Sequence, residues 1–332
     1  MSADGMPVGL VLGSALAPET LPGLARLAEQ LGYGELWFAE DYFFTGGISG
    51  AAAALAATER IPIGLGVVSA MVRHPALLAM EIATLERMFP GRIHPGIGTG
   101  VPAWMRQMGV KPRSPLSALR ESVTSVRRLL DGDEVSLHGS CFHFDRVKLA
   151  HPPQRRVPLY MGVLAPKAMR LSGEIADGNV FSVLSSPQYV RWARERIAAG
   201  AGGAGRSDRR RLATFAFVSV GRDSAAAKAA LRRPMAFYLA ADGGNALTDA
   251  YGISDELNAM LQGGGGAEAV EREMPERWID DLAVAGEPDE CAEKIRRLLD
   301  AGSDSVVLFP LAGEDPEAIV RAAAADVLPK VG

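Results

Sequence analysis

Two consecutive carboxylates, Glu40 and Asp41, close the apolar run Leu36-Trp37-Phe38-Ala39 and lead into Tyr42, Phe43 and Phe44. A carboxyl group among aromatic rings can carry a proton to or from a reacting centre. Burial raises its pKa, a second carboxylate beside it raises one of the pair further, and the rings give a flat ligand a wall. Asp41 is the first candidate for that catalytic work and Glu40 the second; the competing reading has Asp41 binding a backbone group on a loop.

Three stretches poor in side chains could hold what the carboxylate acts beside. Ile61 to Pro75 reads IPIGLGVVSAMVRHP, where Gly64 and Gly66 interrupt β-branched text and either admit a flat ligand or relieve crowding inside a barrel. Gly96-Ile97-Gly98-Thr99-Gly100 offers backbone N–H groups and a hydroxyl of the kind that cradles a phosphate, although a plain turn uses the same residues. Met161-Gly162-Val163-Leu164-Ala165 runs straight into Pro166-Lys167, the start of a helix whose first N–H groups and dipole favour an anion. Arg73 and His74, just past the glycine-bearing strand, are read first as loop charges.

The elements that must position these residues alternate. Val8–Leu12 is predicted as a strand, 18–31 as a helix closed by Gly32, 35–38 as a strand, 51–58 as a helix, 61–68 as a strand, 75–88 as a helix and 92–97 as a strand. A helix follows Ser114-Pro115, and VSLHGSCFHFDRVKL (135–149) reads as a hairpin about His-Gly-Ser. The alternation resumes with strands at 157–161, 179–183, 212–220 and 305–309 and helices at 166–175, 187–198, 288–301 and 316–327. AGAGGAGR (199–206) is expected as a flexible loop. Helical text at 225–239 and 268–284 brackets a polar stretch rich in glycine, 243–266, expected as a mobile lid. Eight βα units in one chain predict a TIM (β/α)8 barrel, a single domain over 1–332 with insertions at about 134–150 and 234–284 and its site at the strands' C-terminal ends. A doubly wound sheet is the alternative, but no G-x-G-x-x-G turn follows the first strand.

Composition narrows the partner. The chain has 332 residues, 48% hydrophobic and 22% charged, with 35 Lys+Arg against 39 Asp+Glu for a net charge of -4. No basic run is denser than Arg209–Arg211, so neither nucleic acid nor an anionic membrane is favoured and a small molecule is the expected partner. Cys141 and Cys291 are too few for a disulfide framework, and the five histidines show no ligand spacing, so no metal is expected. No signal-peptide text opens the chain and no apolar run reaches about 20 residues, which gives the cytoplasm as the expected location.

LWFAEDYF (36–43), GLGVVSAMVRHPALLAMEIATLERMFPGR (64–92), GIGTG (96–100) and PLYMGVLAPKAMRLSGEIADG (158–178) together resemble the luciferase-like flavin- and deazaflavin-dependent oxidoreductases, with the nearest likeness to those using coenzyme F420. The resemblance implies a TIM barrel of the bacterial-luciferase type and a non-prolyl cis peptide at Gly66-Val67 behind the central ring of the cofactor. It also implies phosphate contacts from Gly98, Thr99 and Gly100 and from Gly162, Val163, Leu164 and Ala165. Three positions depart from the family's usual text. Val163-Leu164-Ala165 replaces smaller residues, leaving backbone N–H groups to meet a phosphate. Asp41 stands where several deazaflavin members have histidine, and Pro95 removes a ladder donor from a strand.

The reading that follows is an oxidoreductase moving a hydride between F420 and a small organic substrate held under the lid, with Asp41 or Glu40 handling the proton. An FMN-dependent monooxygenase on the same scaffold is the enzyme alternative, and a flavin-binding member without turnover the other. A second copy of the chain is the one protein partner this reading admits.

Overall fold

The computed structural model describes residues 5–111, 114–311 and 315–331. Its strands, in chain order, are β1 (Val8–Leu12), β2 (Leu36–Phe38), β3 (Ile63–Ser69), β4 (Ile93–Gly98), β5 (Val135–His138), β6 (His143–Val147), β7 (Tyr160–Gly162), β8 (Gly178–Phe181), β9 (Arg211–Val220), β10 (Val284–Gly286) and β11 (Ser305–Pro310). Eight of them close a ring in the order β1-β2-β3-β4-β7-β8-β9-β11 and back to β1, every pair parallel. This is the expected TIM barrel.

Side-chain alternation explains why the ring packs on both faces. Leu10, Leu12, Leu36, Phe38, Val306 and Leu308 point outward into the layer beneath the helices, while Val11, Trp37 and Val307 point inward with Tyr160, Phe215 and Phe217. Fully buried Trp37 anchors the interior, edge-on to Tyr160 at 5.4 Å and to Phe215 at 5.9 Å between ring centroids. Such pairs add about 0.5–1.5 kcal/mol beyond their buried area.

Polar groups plug the floor, where the strands begin. Glu35 accepts a 2.5 Å hydrogen bond from Ser305 Oγ and pairs with Arg211 at 2.8 Å; His94 Nδ1 stands 4.0 Å from the same carboxylate. Burial pulls the His94 imidazole down to about 4, against the pull of Glu35 and with the help of Arg211, so the ring is neutral and its contact with Glu35 is no ion pair near neutral pH.

Three expectations are corrected. The stretch 199–206 is not a loop up to Gly203: the helix Pro187–Gly203 runs through it, because Gly200 lies against the backbone of Arg170 and the small residues let two helices meet closely. The stretch 243–266 is not irregular either. Helices Ala246–Tyr251 and Ser254–Met260, a π turn at 261–265 and the helix Gly266–Glu273 fill it, the first of them started by an Asn245 capping box. Ile253, Leu257 and Val270 of this stretch, with Leu231, Met235 and Trp278 of the helices on either side, join the same apolar cluster as the barrel interior, so it is packed onto the barrel rather than suspended over it. Finally, the helical text over 268–284 is not one helix: it breaks between Glu273 and Glu276 and stops at Leu282, and Val284–Gly286 forms β10, a parallel strand added to β9 outside the ring. The hairpin β5–β6 forms as expected.

Candidate active site

The loops that follow β2, β3, β4 and β7 occupy one sector of the barrel mouth, because these four strands are neighbours in the ring. All eleven residues singled out from the sequence fall in that sector.

The two carboxylates after β2 have different surroundings. Glu40, with only 6% of its side chain exposed, is gripped by Arg73 through two hydrogen bonds of 2.5 and 2.9 Å and accepts a third from the Gly47 N–H at 3.1 Å. Both its oxygens are therefore engaged, and the pair ties the loop after β2 to the loop after β3. Asp41 is half-buried and accepts a 2.5 Å hydrogen bond from Ser14 Oγ on its Oδ2; among the described residues its Oδ1 has no partner. Ser14 follows β1, so the carboxylate is held from one side and open on the other.

β3 carries a bulge at its mouth end. Leu65 pairs with Pro95 and Val68 with Ile97, leaving Gly66 and Val67 opposite Gly96 alone. The Gly66-Val67 peptide is cis, as the resemblance implies, and these two residues are the half-exposed positions of an otherwise buried strand. Their directions differ. A Cβ on Gly66 would stand 2.6 Å from Phe215 Cζ and 3.3 Å from Trp37, so Gly66 has a packing reason inside the barrel. The Val67 side chain instead lies over β4 and β7, where Cβ atoms on Gly96, Gly98 and Gly162 would come within 2.9, 2.5 and 2.7 Å of its methyl groups.

Beyond the bulge, Ser69 Oγ donates to the Thr99 carbonyl and accepts from the Met71 N–H, both at 3.1 Å. Gly100 has φ of 75°, and a Cβ there would strike the Tyr42 hydroxyl at 2.4 Å and Ser69 Oγ at 2.8 Å. Burial pushes the Tyr42 phenol up, with Ser69 pulling it back and Glu40 adding to the rise. After β7, Val163 turns into the outer core and Leu164 packs against it, leaving Ala165 exposed. The Val163 bulk expected to crowd that loop thus faces the outer core, and Leu164 is partly buried against it. The helix Pro166–Ile175 starts at Ala165 without a side-chain cap, whereas Ser114, Ser186 and Asp223 each cap the helix they precede. Its first N–H groups are free for an anion.

Ser14 was not evident from the sequence, nor was the Glu40–Arg73 pair, which reads as two separate loop charges. A polar residue immediately past the apolar run of β1 was the available signal, since barrels keep their chemistry at strand ends. Among the described residues no group of three or more His, Cys, Asp or Glu could hold a metal ion, and no helix is long and apolar enough to cross a membrane.

The luciferase-like monooxygenase model matches residues 6–305 of the chain. The chain belongs to that family. Among luciferase-like relatives it is 30% identical over 302 residues to a 5,10-methylenetetrahydromethanopterin reductase of Methanolobus tindarius, covering 90% of this chain and 92% of that one. To an F420-dependent glucose-6-phosphate dehydrogenase of Microbacterium testaceum (strain StLB037) it is 28% identical over 332 residues, 95% and 94% of the two chains. The solved structure of the coenzyme F420 dependent tetrahydromethanopterin reductase from Methanopyrus kandleri superposes with a TM-score of 0.86 at 26% identity, over 99% of this chain and 100% of that one.

Proposed function

We propose that this luciferase-like chain is an F420-dependent oxidoreductase that moves a hydride between the deazaflavin and a small organic substrate. One observation carries the reading beyond family membership. The half-exposed Gly66–Val67 bulge on β3, the Gly98–Gly100 turn after β4 and the uncapped helix at Ala165 after β7 follow one another around one sector of the mouth, which fits a flat ring system with an anionic tail. Gly66 and Val67 back the ring with their peptide. Gly98, Thr99 and Gly100 bound it at β4, and Gly162, Val163, Leu164 and Ala165 offer backbone N–H groups to the phosphate.

When bound, the deazaflavin supplies two-electron hydride chemistry. The chain's part is to orient, shield and move one proton. Asp41, held through Oδ2 by Ser14, presents Oδ1 to the substrate oxygen, giving up a proton when a carbonyl is reduced and taking one when an alcohol is oxidised. Glu40 shares the same loop, and its pairing with Arg73 makes it the residue that holds Asp41 in place. Trp37 and Phe215 fill the barrel behind Gly66 and keep water from that side.

The test is consumption of reduced F420 by the purified protein, followed with and without a panel of carbonyl compounds, in air and under nitrogen. Consumption that needs the carbonyl and ignores oxygen is the expected result; consumption that requires oxygen would contradict it.

A second copy of the chain is the proposed protein partner, supported by Leu77, Met80 and Met88, exposed at helical spacing on the helix Pro75–Met88. Light scattering at two concentrations checks this. A small-molecule site without nucleic acid completes the proposal on the net charge of -4.

A further inference from the structure

Large apolar side chains at the mouth are concentrated beside Asp41. Phe43 and Phe44 are 67% and 59% exposed, and Val101 and Met108 are 40% and 42% exposed at the two ends of the short helix Pro102–Gln107. Helical spacing puts Val101, Trp104, Met105 and Met108 on one stripe, with Arg106 on the opposite side. That stripe faces the loop after β2, because the Trp104 ring lies 5.8 Å from Tyr42 and tilted to it, while Phe43 stands edge-on to Tyr42 at 6.3 Å. Phe43 also has φ of 74°, a conformation that a bulky side chain adopts rarely and that is found where a loop must aim a residue. From Tyr42 to Thr58 the chain carries no Asp, Glu, Lys, Arg or His.

These observations describe a notch where Phe43 and Trp104 are each set at an angle to Tyr42, with Phe44, Val101 and Met108 exposed on the same two segments and with Ser69 and Gly100 beside the Tyr42 hydroxyl. The cation that acts on Tyr42, Arg73, is already held by Glu40 through two hydrogen bonds, and the Asp41 carboxylate next to the notch would repel an anionic group. We infer that the notch is the substrate subsite, and that the substrate is an uncharged carbonyl compound, or the corresponding alcohol, bearing an aryl or fused-ring group. The aryl group lies against Tyr42, Phe43 and Trp104 while the oxygen faces Asp41. A sugar phosphate, the substrate named for the Microbacterium relative, is the wrong chemistry for this notch. The inference rests on the proposed F420-dependent reaction. In the reducing direction the carbonyl carbon gains a hydride from reduced F420 and the oxygen gains the proton, so the C=O becomes CH–OH and the cofactor is left oxidised.

The experiment compares kcat/KM for acetone, acetophenone, 2-acetonaphthalene, 2-dodecanone and glucose 6-phosphate with reduced F420, beside a separate titration of F420 binding. Transfer of apolar area is worth up to about fourfold per methylene equivalent, and aromatic pairing adds about twofold to tenfold. The expected order therefore places 2-acetonaphthalene roughly a hundredfold above acetone and at least about threefold above 2-dodecanone. The doubly substituted Phe44→Ser, Met108→Ser, both at exposed positions, should flatten the aryl series by about fivefold with F420 affinity unchanged. F420 binding with a flat series, with 2-dodecanone ahead of the aryl ketones, or with glucose 6-phosphate preferred would overturn the inference while leaving the cofactor assignment standing. Absence of F420 binding would remove the reading beneath it.

Discussion

The Val67 side chain occupies the space that a side chain at Gly162 would need: a Cβ there would stand 2.7 Å from Val67 Cγ1 and 3.2 Å from Cγ2. The bulge on β3 is thus locked against β7 by shape, and at Gly162 the atoms that exclude a side chain all belong to one valine. Gly162→Ala is expected to cost about 1–3 kcal/mol by overpacking, and Val67→Ala in the same chain to recover part of that loss. Chemical denaturation of the two single variants and the double variant measures the coupling; additive losses would mean that the two positions do not share that space.

Arg73→Ala leaves Glu40 buried with the Gly47 N–H as its one remaining partner. Removing one member of a buried pair costs about 3–5 kcal/mol, and the partial exposure of Arg73 places this case at about 2–3. The companion variant Arg73→Ala, Glu40→Gln is expected to restore at least half of the loss, since no buried charge is then stranded. Urea unfolding of both decides it; a single variant as stable as the parent would show that the pair contributes nothing.

The floor of the barrel sets an acid limit. His94 has its folded pKa depressed from 6.5 to about 4, so between those values the unfolded chain binds a proton that the folded chain does not, and stability falls as pH drops through that window. At about 1.4 kcal/mol per pKa unit, the full loss is roughly 3 kcal/mol. Melting temperatures of the parent and His94→Gln at pH 7 and pH 4.5 should diverge, the parent losing more; equal losses would mean that His94 does not couple folding to protons.

Asp41→Asn keeps the shape and the bond from Ser14 while removing the exchangeable proton. Turnover is expected to fall by about 10²–10⁴-fold with deazaflavin affinity unchanged, and Ser14→Ala to lower it less while shifting the pH profile. An Asp41→Asn protein turning over like the parent would take the proton from this residue.

The barrel was legible in the sequence because its signals are local: short apolar runs such as Val8–Leu12, and prolines at helix starts such as Pro75 and Pro166. The helices across 243–266 were not, since glycine text argues for a loop and is overridden by Ile253, Leu257 and Val270 reaching the interior cluster. Gly66 shows the same limit at one residue. Sequence left ligand approach and crowding both open, and only tertiary contact with Phe215 and Trp37 reveals that its missing side chain is needed for packing. The direction of Val163, into the outer core rather than toward the loop, was likewise a matter of packing. The partners of the two carboxylates, Ser14 and Arg73, come from strands next to their own in the ring and lie 27 and 33 residues away, so no spacing rule announces them.

Fluorescence titration of the purified chain with F420 and, in parallel, with FMN tests the account at its centre. A saturable change with F420 that FMN neither reproduces nor displaces is expected. Saturable binding of FMN with no response to F420 would contradict it.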